Sequence, residues 1–204
     1  MTALHAEEIL KLEFEYARET AMQAQNDRTV VFNLYLILVG GIGSLLLAAV
    51  SIIPSPRLDL PTQALALLAF VLALLGVMTL FKLIRLRQAW FDSVRAMNAI
   101  KGYYLHSFPE LDSAFLWKMN TVPALGKAWT ITFILSLMVI VIDSIAFTAA
   151  FHFLELRGGD TRLLLDGIVL VVAFGMQILF YFYQLRPLDE LEASDSEKQS
   201  DESI

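Results

Sequence analysis

The chain has no cysteine, which excludes disulfides, thiol nucleophiles and thiolate metal sites, and leaves its compartment unreadable from redox chemistry. Histidine is nearly as scarce. His5, His106 and His152 fall in three separate regions with no carboxylate or second histidine at ligand spacing, so no metal site is expected within one chain. The sequence has no nucleophile-elbow pattern, no paired acids at hydrolase spacing and no basic aromatic face for nucleic acid. An enzyme is therefore not expected, nor any catalytic residue or cofactor. Gly40-Gly41-Ile42-Gly43 is the one glycine cluster of note, and it lies inside an apolar run. It reads as a helix-packing or bending element rather than a phosphate loop.

Charge is thin as well: 18% of residues are charged, against about 25% in an ordinary soluble domain. Apolar residues fill the difference, at 57% of the chain with a mean hydropathy of +0.61. The excess lies in four blocks, residues 30–53, 63–84, 128–153 and 163–185, each near the ~20 residues that cross a bilayer core as a helix. The expected fold class is an all-α membrane protein with four transmembrane helices, the first and second extended into a cytoplasmic helical domain. An acidic segment, not a short basic one, precedes the first block, so that block reads as a retained span and not a signal peptide.

Twelve of the fifteen basic residues fall before the first span, between the second and third, or after the fourth; only Arg57, Arg157 and Arg162 lie in the two short connections. By the positive-inside rule both termini and residues 85–127 are cytoplasmic in a multi-pass cell-membrane protein. Residues 1–29 form a helix continuous with the first span, since nothing from Leu4 to Gln25 is Gly or Pro. Within it Leu10, Phe14, Ala17, Ala21, Ala24, Arg28 and Val31 alternate at spacings of four and three, a coiled-coil-like seam. That seam packs either on another helix of the same chain or, because Ala17, Ala21 and Ala24 permit close approach, between subunits.

The helical pattern of the second span runs past Ile84 to about Tyr104. Ser107-Phe108-Pro109-Glu110 resembles a capping box before a short amphipathic piece, and Thr121 with Pro123 suggests the start of the third span. Residues 186–204 are acidic, almost devoid of apolar side chains and expected to be disordered.

Asp143, in the middle of the third span, is the costliest residue in the sequence to place: a carboxylate at that depth costs roughly 3 kcal/mol on insertion scales. It shares a helical stripe with Thr132, Ser136, Ala146 and Ala150. The fourth span carries Asp166, Leu170, Ala173, Gln177, Phe180 and Gln184 in the same register, and the first carries Asn33, Ile37, Gly40, Ser44, Leu47 and Ser51. Such faces either pack helices together, with Gly40 and Ser44 as close-contact positions, or line a polar path. By depth, Gln177 is the neutral partner expected for Asp143. The second span, with its row Ala69, Ala73 and Gly76, is the least suited to a polar path.

The functional expectation is a homo-oligomeric assembly that conducts ions or permeabilises the membrane, with the cytoplasmic helices as assembly or gating elements. The alternative is a non-conducting scaffold or accessory subunit. The expected partners are the lipid bilayer, further copies of the chain and, through the cytoplasmic helices or the acidic tail, a cytoplasmic protein.

Overall fold

The computed structural model of the protein describes residues 6–52, 62–113, 115, 125–154 and 161–186. These residues are all-helical apart from short turns and contain no strand. Four long helices follow in order: α1 (Ala6–Ile52), α2 (Thr62–Ser107), α3 (Ile131–Leu154) and α4 (Thr161–Gln184), with a short 3-10 helix, Pro109–Ser113, after α2. All four are long and apolar enough to cross a membrane.

α1 runs unbroken for 47 residues, about 70 Å at 1.5 Å per residue. Glu7 and Glu8 stand in its first turn, where the helix dipole favours negative charge. It also passes through Gly40 to Gly43 without a break, and the Ser44 hydroxyl donates to the Gly40 carbonyl at 2.6 Å. α2 runs 46 residues and likewise does not stop at Ile84.

At its end the Phe108 amide donates to the Tyr104 carbonyl, and Pro109, which lacks an N–H, cannot continue the ladder. Ser107 does not act as the capping residue that its sequence context suggests. Its hydroxyl turns back onto the Tyr103 carbonyl at 3.3 Å. α3 is capped by Thr130, whose hydroxyl accepts from the Phe133 amide at 3.2 Å. Trp129, just before that cap, has φ of 64°, a left-handed conformation that costs a bulky residue roughly 1 kcal/mol or more. The Thr121–Pro123 start and the acidic tail beyond Arg186 lie outside the described residues.

The chain divides into two compact units, and α1 and α2 each contribute to both. The first unit contains the described residues among 1–28, 85–128 and 185–204. Here the seam of α1 faces inward: Ala17, Ala21 and Ala24 are only 4%, 6% and 6% exposed within a single chain, and Leu10, Phe14 and Arg28 are half-buried beside them. Contacts within the chain thus occupy the alanine row, and it is not left open for a second subunit. Leu86, Arg87, Ser93 and Asn98 of α2 are buried in the same unit, and the Arg87 guanidinium lies 4.7 Å from the centre of the Trp90 ring. Gly126 approaches the Leu185 carbonyl so closely that a Cβ would stand 3.3 Å from it.

The second unit contains the described residues among 29–84 and 129–184. Its centre is built on small side chains. Ala69 and Ala73 of α2 are fully buried, and Leu72, Ala73 and Ala146 form a cluster against which Val39, Ile42 and Phe147 pack. Aromatic pairs tie α4 in, with Phe180 stacked on Phe81 at 6.3 Å and Tyr181 edge-on to Phe133 at 5.7 Å between ring centres.

Candidate functional site: a buried oxygen cluster around Asp143

Asp143 is completely buried in the second unit, at 0% exposure. Its stripe on α3 faces the interior with it: Thr132, Ser136, Val139, Ile140, Ala146 and Ala150 are all buried. The helix it lies against is α2. A Cβ on Gly76 would overlap Oδ1 and Cγ of Asp143 and stand 2.8 Å from its Cβ, so the carboxyl occupies the space a side chain at 76 would take. The second span, expected to be the least suited of the four to a polar path, thus lies directly on the carboxyl through Gly76. A carboxyl inside a bundle first needs room, and a glycine provides it.

The other members come from α1, α3 and α4. Tyr35 of α1, 1% exposed, has its hydroxyl within electrostatic range of the Asp143 carboxyl. Gln177 of α4 reaches toward the same carboxyl, and its Nε2 donates to Ser144 Oγ at 3.4 Å. The orientation of that amide follows from its neighbour. Ser144 donates its own proton to the Ile140 carbonyl at 2.7 Å, so toward Gln177 it can only accept. Gln177 Oε1 is then left without a hydrogen bond among the described residues. So are both oxygens of Asp143, the Tyr35 hydroxyl and the Ser136 hydroxyl. Buried polar atoms rarely go unpaired, since each costs about 1–3 kcal/mol of desolvation. Five such atoms are carried by α1, α3 and α4 within the second unit.

The stripe of α1 expected at this site does not reach it. Asn33, Gly40 and Ser44 are exposed, Ile37 and Leu47 with them, and Gly40, Gly41 and Gly43 have no atom within 4 Å of where a Cβ would stand. The inward face of α1 is Phe32, Tyr35, Val39 and Ile42. Periodicity places residues on a common face without saying which face packs, and in lipid an apolar face is no guide. Tyr35 was therefore missed, and the signal available was a phenol inside an apolar span.

Asp166 is also elsewhere. His152 Nδ1 donates to Asp166 Oδ2 at 2.8 Å, nine residues and about 13 Å along α3 from Asp143. Spacing along one helix offers His152 no carboxylate, because Asp166 belongs to the next helix. Asp166 and His152 both stand a few residues from the α3–α4 connection, where antiparallel helices place equal depths side by side. An open groove of about 320 Å³, lined by Ile145, Thr148, Ala149, Phe153 and Leu170, lies beside the pair.

His152→Phe leaves Asp166 without a hydrogen bond to either oxygen and is expected to lower stability by about 1 kcal/mol. Denaturant unfolding in micelles, with His152→Phe/Asp166→Leu recovering most of the loss, checks this. The described residues contain no group of three or more histidines and acids able to hold a metal ion. No known family, curated protein or solved structure matches this chain.

Proposed function

We propose that the protein is an integral membrane protein that assembles from identical subunits through the outward face of α1, and that the assembly conducts ions or permeabilises the membrane. The observation that supports this most is the exposed face of Asn33, Ile37, Gly40, Ser44 and Leu47, with open space at Gly40, Gly41 and Gly43. Glycine in a helix costs about 1 kcal/mol relative to alanine, and a surface that only meets lipid gains nothing for that cost. Helices that meet each other in lipid do gain, because small residues let their backbones approach. On this reading the distribution of Lys and Arg sets both termini and residues 85–127 in the cytoplasm, where the first unit serves as an assembly or gating element. Asn33 and Ser44, rather than the enclosed Asp143, then line any shared path.

The test compares wild-type protein with Gly40→Leu/Ser44→Leu, by subunit count in lipid nanodiscs and ion flux from liposomes. The variant is expected to keep its helical content, to run as a monomer and to lose flux to the level of protein-free liposomes. Wild-type protein that stays monomeric in native lipid sinks the proposal.

A second reading, a non-conducting scaffold or accessory subunit that recruits a cytoplasmic or membrane partner, is favoured by the enclosure of Asp143 within one chain. It requires oligomers or partner complexes without flux, unchanged in Asp143→Asn.

A further inference from the structure

The geometry points to a binding site for a single-charge cation inside each subunit, a proton or an alkali-metal ion, held by the Asp143 carboxyl with the Tyr35 hydroxyl. The argument is one of charge and of unspent bonding capacity. Among the described residues the groups placed against Asp143 are Tyr35 from α1, Gly76 from α2 and Gln177 from α4, whose amide N–H also donates to Ser144. None is basic. Lys82 is six residues further along α2 and exposed, and Asp166 is held by His152.

An isolated carboxylate in such surroundings is costly by more than packing repays, so the site is neutral only with one positive charge bound to it. The donor set also fits a hard cation. Carboxylate and phenol are both oxygen donors, with no sulfur or imidazole beside them, and hard cations select oxygens.

The unpaired atoms give the second observation. Both oxygens of Asp143 and the Tyr35 hydroxyl belong to side chains at least nine-tenths buried, and none has a hydrogen bond within the described chain. The orphaned oxygens supply acceptor capacity without a matching buried cation, which is the arrangement that a bound cation completes. A proton makes Asp143 a donor to one neighbouring oxygen. An alkali ion draws the oxygens around itself. Loss of the ligand leaves the charge exposed to Gly76 and the α2 wall, so occupancy is coupled to how tightly α2 packs on α3.

The site lies within one subunit and does not rest on assembly through α1. A monomer is expected to show it, and failure of the oligomer proposal leaves it standing.

The test is infrared difference spectroscopy of the full chain in lipid. The carbonyl stretch of a protonated carboxyl is followed while pH is varied in N-methylglucamine chloride, and then while sodium chloride is added at fixed pH. The Asp143 band is identified by its absence in Asp143→Asn. The expected result is a band that bleaches as pH rises and, at fixed pH, bleaches on adding sodium as the metal ion displaces the proton. A band that answers to pH alone identifies the ligand as the proton. A carboxyl signal that neither pH nor sodium moves overturns the proposal and leaves Asp143 as a permanently neutral packing residue.

Tyr35→Phe removes one oxygen and keeps the ring, so it serves even where Asp143→Asn fails to fold. It is expected to shift the midpoint of the band's titration by about tenfold in ligand concentration, equivalent to 1.4 kcal/mol. A midpoint identical to wild type overturns the oxygen cluster.

Discussion

Gly76→Leu is expected to disrupt the second unit, with a loss of about 3 kcal/mol or more. The usual effect of filling a helical glycine is the opposite, since Gly→Ala in a helix gains about 1 kcal/mol. Here the first atom of any side chain collides with the fully buried Asp143 carboxyl. Forcing the carboxyl aside strains the packing of α2 on α3 along the Leu72, Ala73 and Ala146 contact. Gly76→Ala is therefore expected to destabilise despite its better helix propensity, and Gly76→Leu to do so severely.

A double-mutant cycle makes the cause specific. Asp143→Ala removes Oδ1 and Cγ but leaves Cβ 2.8 Å from the new methyl, so Gly76→Ala is expected to cost less on that background than on wild type, with a coupling energy of about 1–3 kcal/mol. Reversible unfolding in mixed micelles followed by circular dichroism measures each corner. Additive effects of the two substitutions would mean that Asp143 does not lie on Gly76.

The architecture was far more legible than the site, for physical reasons. Helix length and apolarity are properties of a single segment, so four helices able to cross a membrane could be counted from the sequence, and the absence of Gly and Pro between Leu4 and Gln25 carries α1 well beyond its apolar run. The partner of Asp143 is a property of several segments at once. Depth alone placed Gln177 near it and missed Tyr35, because the face of α1 that packs is set by Phe32, Val39 and Ile42 and not by its polar residues.

Gly76 is visible in the sequence as part of a small-residue row in the span least suited to a polar path, yet the space beside it holds a carboxyl. The His152–Asp166 pair was hidden differently, since it forms only when two helices turn back on each other at equal depth. The polar side chains of this sequence are few enough to enumerate. What decided their roles was which small residue faced them.

Ala21→Asp is expected to open the first unit while the second stays folded. Ala21 is buried beside Ala17 and Ala24, and an aspartate side chain is too short to reach water from that position. A buried charge without a partner costs about 3 kcal/mol or more, a large share of what a small unit has in reserve. Met22→Asp, one residue on and 54% exposed, is the matched control and is expected to stay within about 0.5 kcal/mol of wild type.

Trypsin reads the result locally. Lys11 and Arg18 have exposed side chains, yet cleavage after them requires the helix to unwind, so they are expected to be cut readily in Ala21→Asp and slowly in Met22→Asp. The fragment that carries residues 29–84 is expected to keep its protection, since α1 and α2 each have a second part packed in the other unit. Dilution distinguishes the two possible partners of the alanine seam. A seam closed within one chain gives the same protection at every protein-to-lipid ratio, whereas a seam between subunits loses protection as the protein is diluted in lipid, because association follows mass action. The burial of all three alanines within one chain places the expectation on the first of these outcomes.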